Sequence, residues 1–208
     1  GRYAYDRQAV LAQWNLARLA ETLLPLINPE NPEAALPLAQ EVIEEAPEVY
    51  AREWQARMAA KLGFERSEAG DEGLITGFLT LLATARADFT RSFVALSVAA
   101  QDDEAALDGC LNGTPERADW LAAWRKRLAA EAGGAGAAAA RMAAVNPIYI
   151  ARNHLVEAAL EAAHSGDLAP THQLLDALGQ PFTRRDGFEA LEHPAPAGFG
   201  PYTTFCGT

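Results

Sequence analysis

The chain has 208 residues, a formal net charge of −11 and 50 % hydrophobic residues. That fits one large globular domain or two small ones, able to bury roughly 70 % of the unfolded chain's surface without disulfide support. The acidic balance argues against nucleic acid as the main partner, because phosphate binding needs clustered Lys and Arg; no apolar run reaches the ~18 residues of a membrane span, and no stretch has the order of a secretion signal.

Strand alternation is absent, and Ala, Leu, Glu and Arg abound, so the fold class is all-α. The pattern predicts helices at 8–27, 33–45, 48–62, 74–86, 88–100, 102–111, 115–131, 137–144, 147–164 and 168–178. Three starts are expected where a capping residue precedes Pro: Asn31-Pro32, Thr114-Pro115 and Asn146-Pro147. No repeat of fixed length emerges, which disfavours a solenoid.

The first helix carries Val10, Trp14, Leu16, Leu19, Leu23 and Leu26 around most of its circumference. A helix apolar nearly all round is buried on nearly all sides. It is therefore expected to be a central pillar, with Trp14 in the core. Helix 102–111 opens with the acidic run Asp102-Asp103-Glu104, favoured by the helix dipole. Trp54, Trp120 and Trp124 sit at helical spacing and read as core, whereas Arg125-Lys126-Arg127 reads as a solvated helix end. The low-complexity stretch 131–140, EAGGAGAAAA, reads as a loop running into a short helix. In helix 147–164, Arg152 falls inside the apolar arc. It is expected either to meet a carboxylate or carbonyls, because a lone buried charge is costly, or to snorkel its head into water. Beyond Gly179, accumulating Gly and Pro predict an irregular tail.

Motifs for chemistry are missing. There is no GxxxxGK[ST], GxGxxG or GxSxG, and none of the four His residues forms a close ligand pair. His164 and His172 are expected to face solvent, and Arg184–Phe188, RRDGF, reads as a turn. Cys110 and Cys206 are too few for a disulfide framework, so reduced cytosolic thiols are the default.

The opening GRYAYDRQAVLAQWNLARLAETLLPLI resembles the SelO (selenoprotein O) family, protein adenylyltransferases of kinase-like fold. So do DFTRSFVALS, WLAAWRKRL and NPIYIARNHLVEAALEAAHSGDLAPTHQLLDALGQPF, in that order and over nearly the whole chain. The resemblance implies the helical C-lobe portion of a protein-kinase-like fold plus C-terminal helices and an irregular tail. Its parts would be a C-lobe region at 1–130, an Ala/Gly-rich loop at 131–140 and a C-terminal helical segment with tail at 141–208. It also implies transfer of AMP from ATP to Ser, Thr or Tyr hydroxyls of proteins. ATP and Mg2+ or Mn2+ would bind in the parent enzyme, upstream of the GRYAY segment.

No catalytic, cofactor-binding or metal residue is therefore assigned within this chain, which would be a C-terminal portion inactive on its own. Arg2, Tyr3 and Tyr5 are expected to border the active site, from chain adjacency. Cys206, in the ending FCGT, is the redox candidate, because many family members carry a Cys or selenocysteine near the terminus. Pairing it with an upstream thiol would latch tail to catalytic lobe. The implied partners are protein substrates and the upstream kinase-like half, in a bacterial-type cytoplasm, with no nucleic acid and no membrane. The alternatives are a stand-alone helical protein-interaction module without catalysis, or a pseudokinase remnant.

Overall fold

A computed structural model describes residues 7–200 and 202. Among these residues the chain is helical, without strands, as the composition predicts. In chain order the helices are α1 (Gln8–Ile27), α2 (Leu36–Lys61), α3 (Asp71–Ala85), α4 (Phe89–Ala99), α5 (Ala105–Leu111), α6 (Arg117–Leu128), α7 (Gly134–Val145), α8 (Asn153–His164) and α9 (Ala169–Gly179). Short 3-10 turns lie at Pro32–Ala35 and Glu189–Glu192. The chain divides into two compact units, the first ending at Arg57 and the second beginning at Met58.

The first unit holds α1, the 3-10 turn and most of α2. Two helices predicted at 33–45 and 48–62 are one, because α2 runs through Pro47. The proline removes a single i→i−4 hydrogen bond, and the helix carries that loss. α1 follows the predicted bounds, yet none of its residues is buried, and Trp14 is 51 % exposed. Only Ala35 is buried among the described residues of this unit. The expected pillar is therefore an open helix here. Its apolar side chains line two grooves with α2, of about 270 and 200 Å³. One partner helix and a short turn are too little to cover an all-round apolar surface.

The second unit is built on a continuous core. Met58 and Leu62 at the end of α2 pack with Ile75 and Phe78 of α3, Phe93 and Leu96 of α4, Leu107 and Leu111 of α5, and Trp120 and Trp124 of α6. The aromatics form a ladder: Phe78 stacks on Trp120 at 4.8 Å, Trp120 on Trp124 at 5.7 Å, and Phe93 meets Phe78 edge-on at 5.0 Å. Buried indoles need acceptors. Trp120 Nε1 donates to the Leu74 carbonyl and Trp124 Nε1 to the Leu62 carbonyl, both at 2.9 Å. Helix α3 can approach this ladder because position 77 is Gly; a Cβ there would lie 2.8 Å from Trp120 Cδ1.

Two of the expected Pro-marked starts behave differently. Thr114 precedes a turn, and α6 begins only at Arg117. Asn146 closes α7 instead of opening a helix; its side chain accepts from Lys61 Nζ at 2.9 Å and donates to the Lys61 carbonyl at 3.0 Å. Residues before Pro are pushed out of the helical region, and 147–152 stay non-helical. The Ile148 and Tyr149 N–H groups donate to the Pro181 carbonyl, at 2.7 and 3.2 Å, so α8 starts at Asn153. Helix α7 begins at Gly134, earlier than predicted, because an Ala run is the best helix former and its small side chains pack closely. A second, smaller core of Tyr149, Ala177 and Leu191 sits beneath the α8–α9 pair.

Trp124 is fully buried while Trp14 is half open. Trp124→Ala is expected to cost about 3–5 kcal/mol, and Trp14→Ala in the same chain about 1 kcal/mol, read from denaturant unfolding. Equal losses would contradict this placement.

Candidate functional site

Polar chemistry in the second unit gathers at two junctions. The first centres on Asp88, the N-cap of α4, whose Oδ1 accepts the Arg91 N–H at 2.8 Å. The same carboxylate receives Arg152 in bidentate fashion, Nη1 to Oδ2 at 2.7 Å and Nη2 to Oδ1 at 3.0 Å. Arg152 Nη2 also donates to the Glu192 carbonyl at 3.1 Å. Arg152 is 8 % exposed, so the structure holds the paired arrangement and not the snorkelling one. Burial alone would raise the Asp88 carboxyl. The Arg152 hydrogen bonds, the Arg91 N–H and both positive charges outweigh it and hold the group below its ordinary value.

Beside this junction Arg184 makes a bidentate pair with Glu192, at 2.9 and 2.7 Å. A cavity of about 160 Å³ opens there, lined by Arg91, Cys110, Ile148, Arg184 and Glu192 among others. Cys110 is a partly buried free thiol. In the segment RRDGF a turn does form, at Asp186-Gly187, and the Arg185 N–H donates to the Tyr149 hydroxyl at 3.0 Å.

The second junction centres on Arg127 and Glu131 at the end of α6. Arg127 Nε lies 2.9 Å from Asp71 Oδ1 and its Nη1 2.5 Å from Glu131 Oε1, with the guanidinium 4.5 Å over the Phe64 ring. Glu131 also accepts the Glu65 N–H at 2.9 Å and meets Arg141 at 3.2 Å. Burial pushes Glu131 up, but the Glu65 N–H, Arg127 and the nearby positive charges bring it below its ordinary value. Arg127 is thus no solvated helix end. It pins the start of α3 and the loop after α2 to α6. Likewise Glu104 at the start of α5 pairs with Arg125 at 2.7 Å and Arg117 at 2.7 Å, so the acidic run serves ion pairs.

Of the residues singled out in sequence, Arg2, Tyr3, Tyr5 and Cys206 lie outside the described residues. Trp14 stands on the open α1, far less covered than its wheel predicts, with Arg18 over its ring at 5.7 Å. Trp120 and Trp124 are core, whereas Trp54 is partly open; His164 and His172 face solvent. The sequence does not single out Asp88, Asp71 or Glu131. Two of them carry a local signal: Asp88 stands directly before an apolar helical run, and Glu131 lies four residues after Arg127; the pairing of Asp88 with Arg152 spans 64 positions.

Among the described residues no three His, Cys, Asp or Glu side chains converge as metal ligands. The buried guanidiniums of Arg127 and Arg152 are already committed to carboxylates. These residues do not fit a seat for ATP with a divalent cation, and no transfer step is derived from them. No helix among the described residues is long and apolar enough to cross a membrane.

Comparison with known proteins places this helical scaffold. Residues 1–179 match the family model for protein adenylyltransferase SelO. The chain is 48 % identical over 209 residues to a protein nucleotidyltransferase YdiU of Cereibacter sphaeroides, covering 100 % of this chain and 42 % of that protein. It is 43 % identical over 210 residues to the protein of the same name from Chromobacterium violaceum, covering 100 % of this chain and 44 % of that one. A third, from Mycolicibacterium paratuberculosis, is 45 % identical over 214 residues, with 100 % and 42 % covered. The chain thus spans less than half the length of these relatives.

The depressed Asp88 and Glu131 give a pH dependence of known sign. A carboxylate whose folded pKa lies below its unfolded value, about 4, adds stability above that value and loses it as pH falls through the folded one. Asp88→Asn is therefore expected to destabilise the chain at pH 7 and to differ progressively less from the parent sequence as pH falls below about 4, by denaturant unfolding. An unchanged gap across that range would contradict the ionised pair.

Proposed function

The chain belongs to the SelO family, and from that premise we propose that it is the C-terminal portion of a longer protein adenylyltransferase. That enzyme transfers AMP from ATP to Ser, Thr or Tyr hydroxyls of proteins, with its catalytic residues upstream of Gly1. The observation that carries this reading is the match itself: family similarity across residues 1–179, and relatives named nucleotidyltransferases whose length is more than twice what this chain covers. The apolar surface of the first unit supports it. Val10, Trp14, Leu19, Leu26 and Val42 are all exposed on α1 and α2, and extensive exposed apolar surface marks a region that another part of a protein covers. We assign that surface to the remainder of the parent chain.

In this reading ATP and Mg2+ or Mn2+ bind in the parent's upstream part, where a metal-bridged phosphate, basic groups and an Asp base supply the chemistry. The role of the present residues is mechanical. Asp88–Arg152 and Arg127–Asp71–Glu131 fix the helices of a C-lobe-like scaffold against which that part is held. Arg2, Tyr3 and Tyr5 border the site by chain adjacency, and Cys206 is the redox-active thiol of the tail. The partners are protein substrates in a bacterial-type cytoplasm.

Calorimetry and transfer of AMP from α-phosphate-labelled ATP test this. The full-length parent should bind ATP–Mg2+ saturably and label protein hydroxyls, while the 208-residue chain alone does neither. Saturable ATP binding by the chain alone would overturn the upstream placement. A parent that binds ATP but transfers nothing would favour the pseudokinase reading.

A further inference from the structure

The segment after α9 is held against the fold at Phe199 and Tyr202. After the 3-10 turn Glu189–Glu192 the backbone turns at Pro196–Phe199, closed by the Phe199 N–H to the Pro196 carbonyl at 2.9 Å. Three contacts then bring this segment onto α8. Phe199 meets the His154 ring edge-on, centroids 5.8 Å apart at 69°. Tyr202 stacks on Phe199 at 5.8 Å and 20°. The Tyr202 hydroxyl donates to Glu157 Oε1 at 2.5 Å. His154 and Glu157 are three apart on a helix and so share a face. One helix face thus grips two aromatic side chains of an otherwise irregular segment.

The chemistry of the grip is consistent at each point. An edge-to-face ring pair is favourable beyond its area. Burial, and then the charge of Arg152, hold His154 below its ordinary value, so a neutral imidazole packs on Phe199 and no charge is desolvated there at neutral pH. Glu157 and Tyr202 are both exposed, so their bond is open to exchange with water. A contact made of one half-buried ring edge and one wet hydrogen bond is of the strength that opens without unfolding the domain.

We propose that Phe199 and Tyr202 form a releasable strap that docks the C-terminal segment on the His154–Glu157 face of α8. The strap stands on these ring and hydroxyl contacts.

Chymotrypsin cleaves after Tyr, so cutting at Tyr202-Thr203 reports whether the strap is docked. The full chain is digested under native conditions and the peptide beginning at Thr203 is followed by mass spectrometry. The bond should be cut about tenfold faster in His154→Ala/Glu157→Gln than in the parent sequence, because cleavage tracks the open population. His154→Phe keeps the edge contact and should restore most of the protection. Tyr202→Phe leaves α8 untouched and the cleavage site usable, and should accelerate cutting by itself, about threefold. If the parent sequence is cut as fast as a free peptide of residues 196–208, or if the α8 variants and Tyr202→Phe all match it, the strap is overturned.

Discussion

One carboxylate, that of Asp88, joins parts of the chain that are far apart in sequence. It caps α4 through the Arg91 N–H, receives both terminal nitrogens of Arg152, and through Arg152 reaches the Glu192 carbonyl. The cost of burying a guanidinium makes this arrangement obligatory. Arg152 is tolerable inside because acceptors meet both of its terminal nitrogens, and those acceptors come from the start of α4 and from the turn Glu189–Glu192. The small core of Tyr149, Ala177 and Leu191 is thereby tied to the larger one. The pair need not add much over a well-packed apolar substitute. Its effect is to fix one register, since leaving either member alone is what is expensive.

The rest of the second unit repeats this logic with other groups. Lys61 has no carboxylate among its observed contacts; its ammonium sits 4.8 Å over Phe93 and bonds the Asn146 side chain, and burial holds it below its ordinary value. Arg127 collects Asp71 and Glu131 while its guanidinium lies over the Phe64 ring. Among the described residues these polar groups hold helix ends in place.

Helix existence is legible in the sequence because apolar spacing is local. The bounds of α1 and α9 follow from the sequence almost to the residue, and those of α4 nearly so. Proline is not legible in the same way. Pro47 lies inside a continuous helix, whereas Pro147 begins a non-helical stretch, and the difference comes from the Pro181 carbonyl, which captures two N–H groups from 147–152. The wheel of α1 is apolar all round, as its sequence shows, but burial depends on what surrounds a helix, and its own unit offers too little. The demand of Arg152 for a partner is readable; Asp88 as that partner is not, since nothing local joins positions 64 apart. Arg127 resembles a solvated end in sequence because Asp71, 56 positions away, reaches it only after α3 and α6 pack, although Glu131 stands four residues on.

The Asp88–Arg152 pair acts as a unit, and a double-mutant cycle measures that directly. Asp88→Ala, Arg152→Ala and the double variant are compared by urea unfolding at pH 7. A coupling of about 1.5–3 kcal/mol is expected, with the double variant close in stability to either single one. Additive losses, with coupling below about 0.5 kcal/mol, would show that the two side chains merely lie near each other, and the junction would lose its place at the centre of the fold.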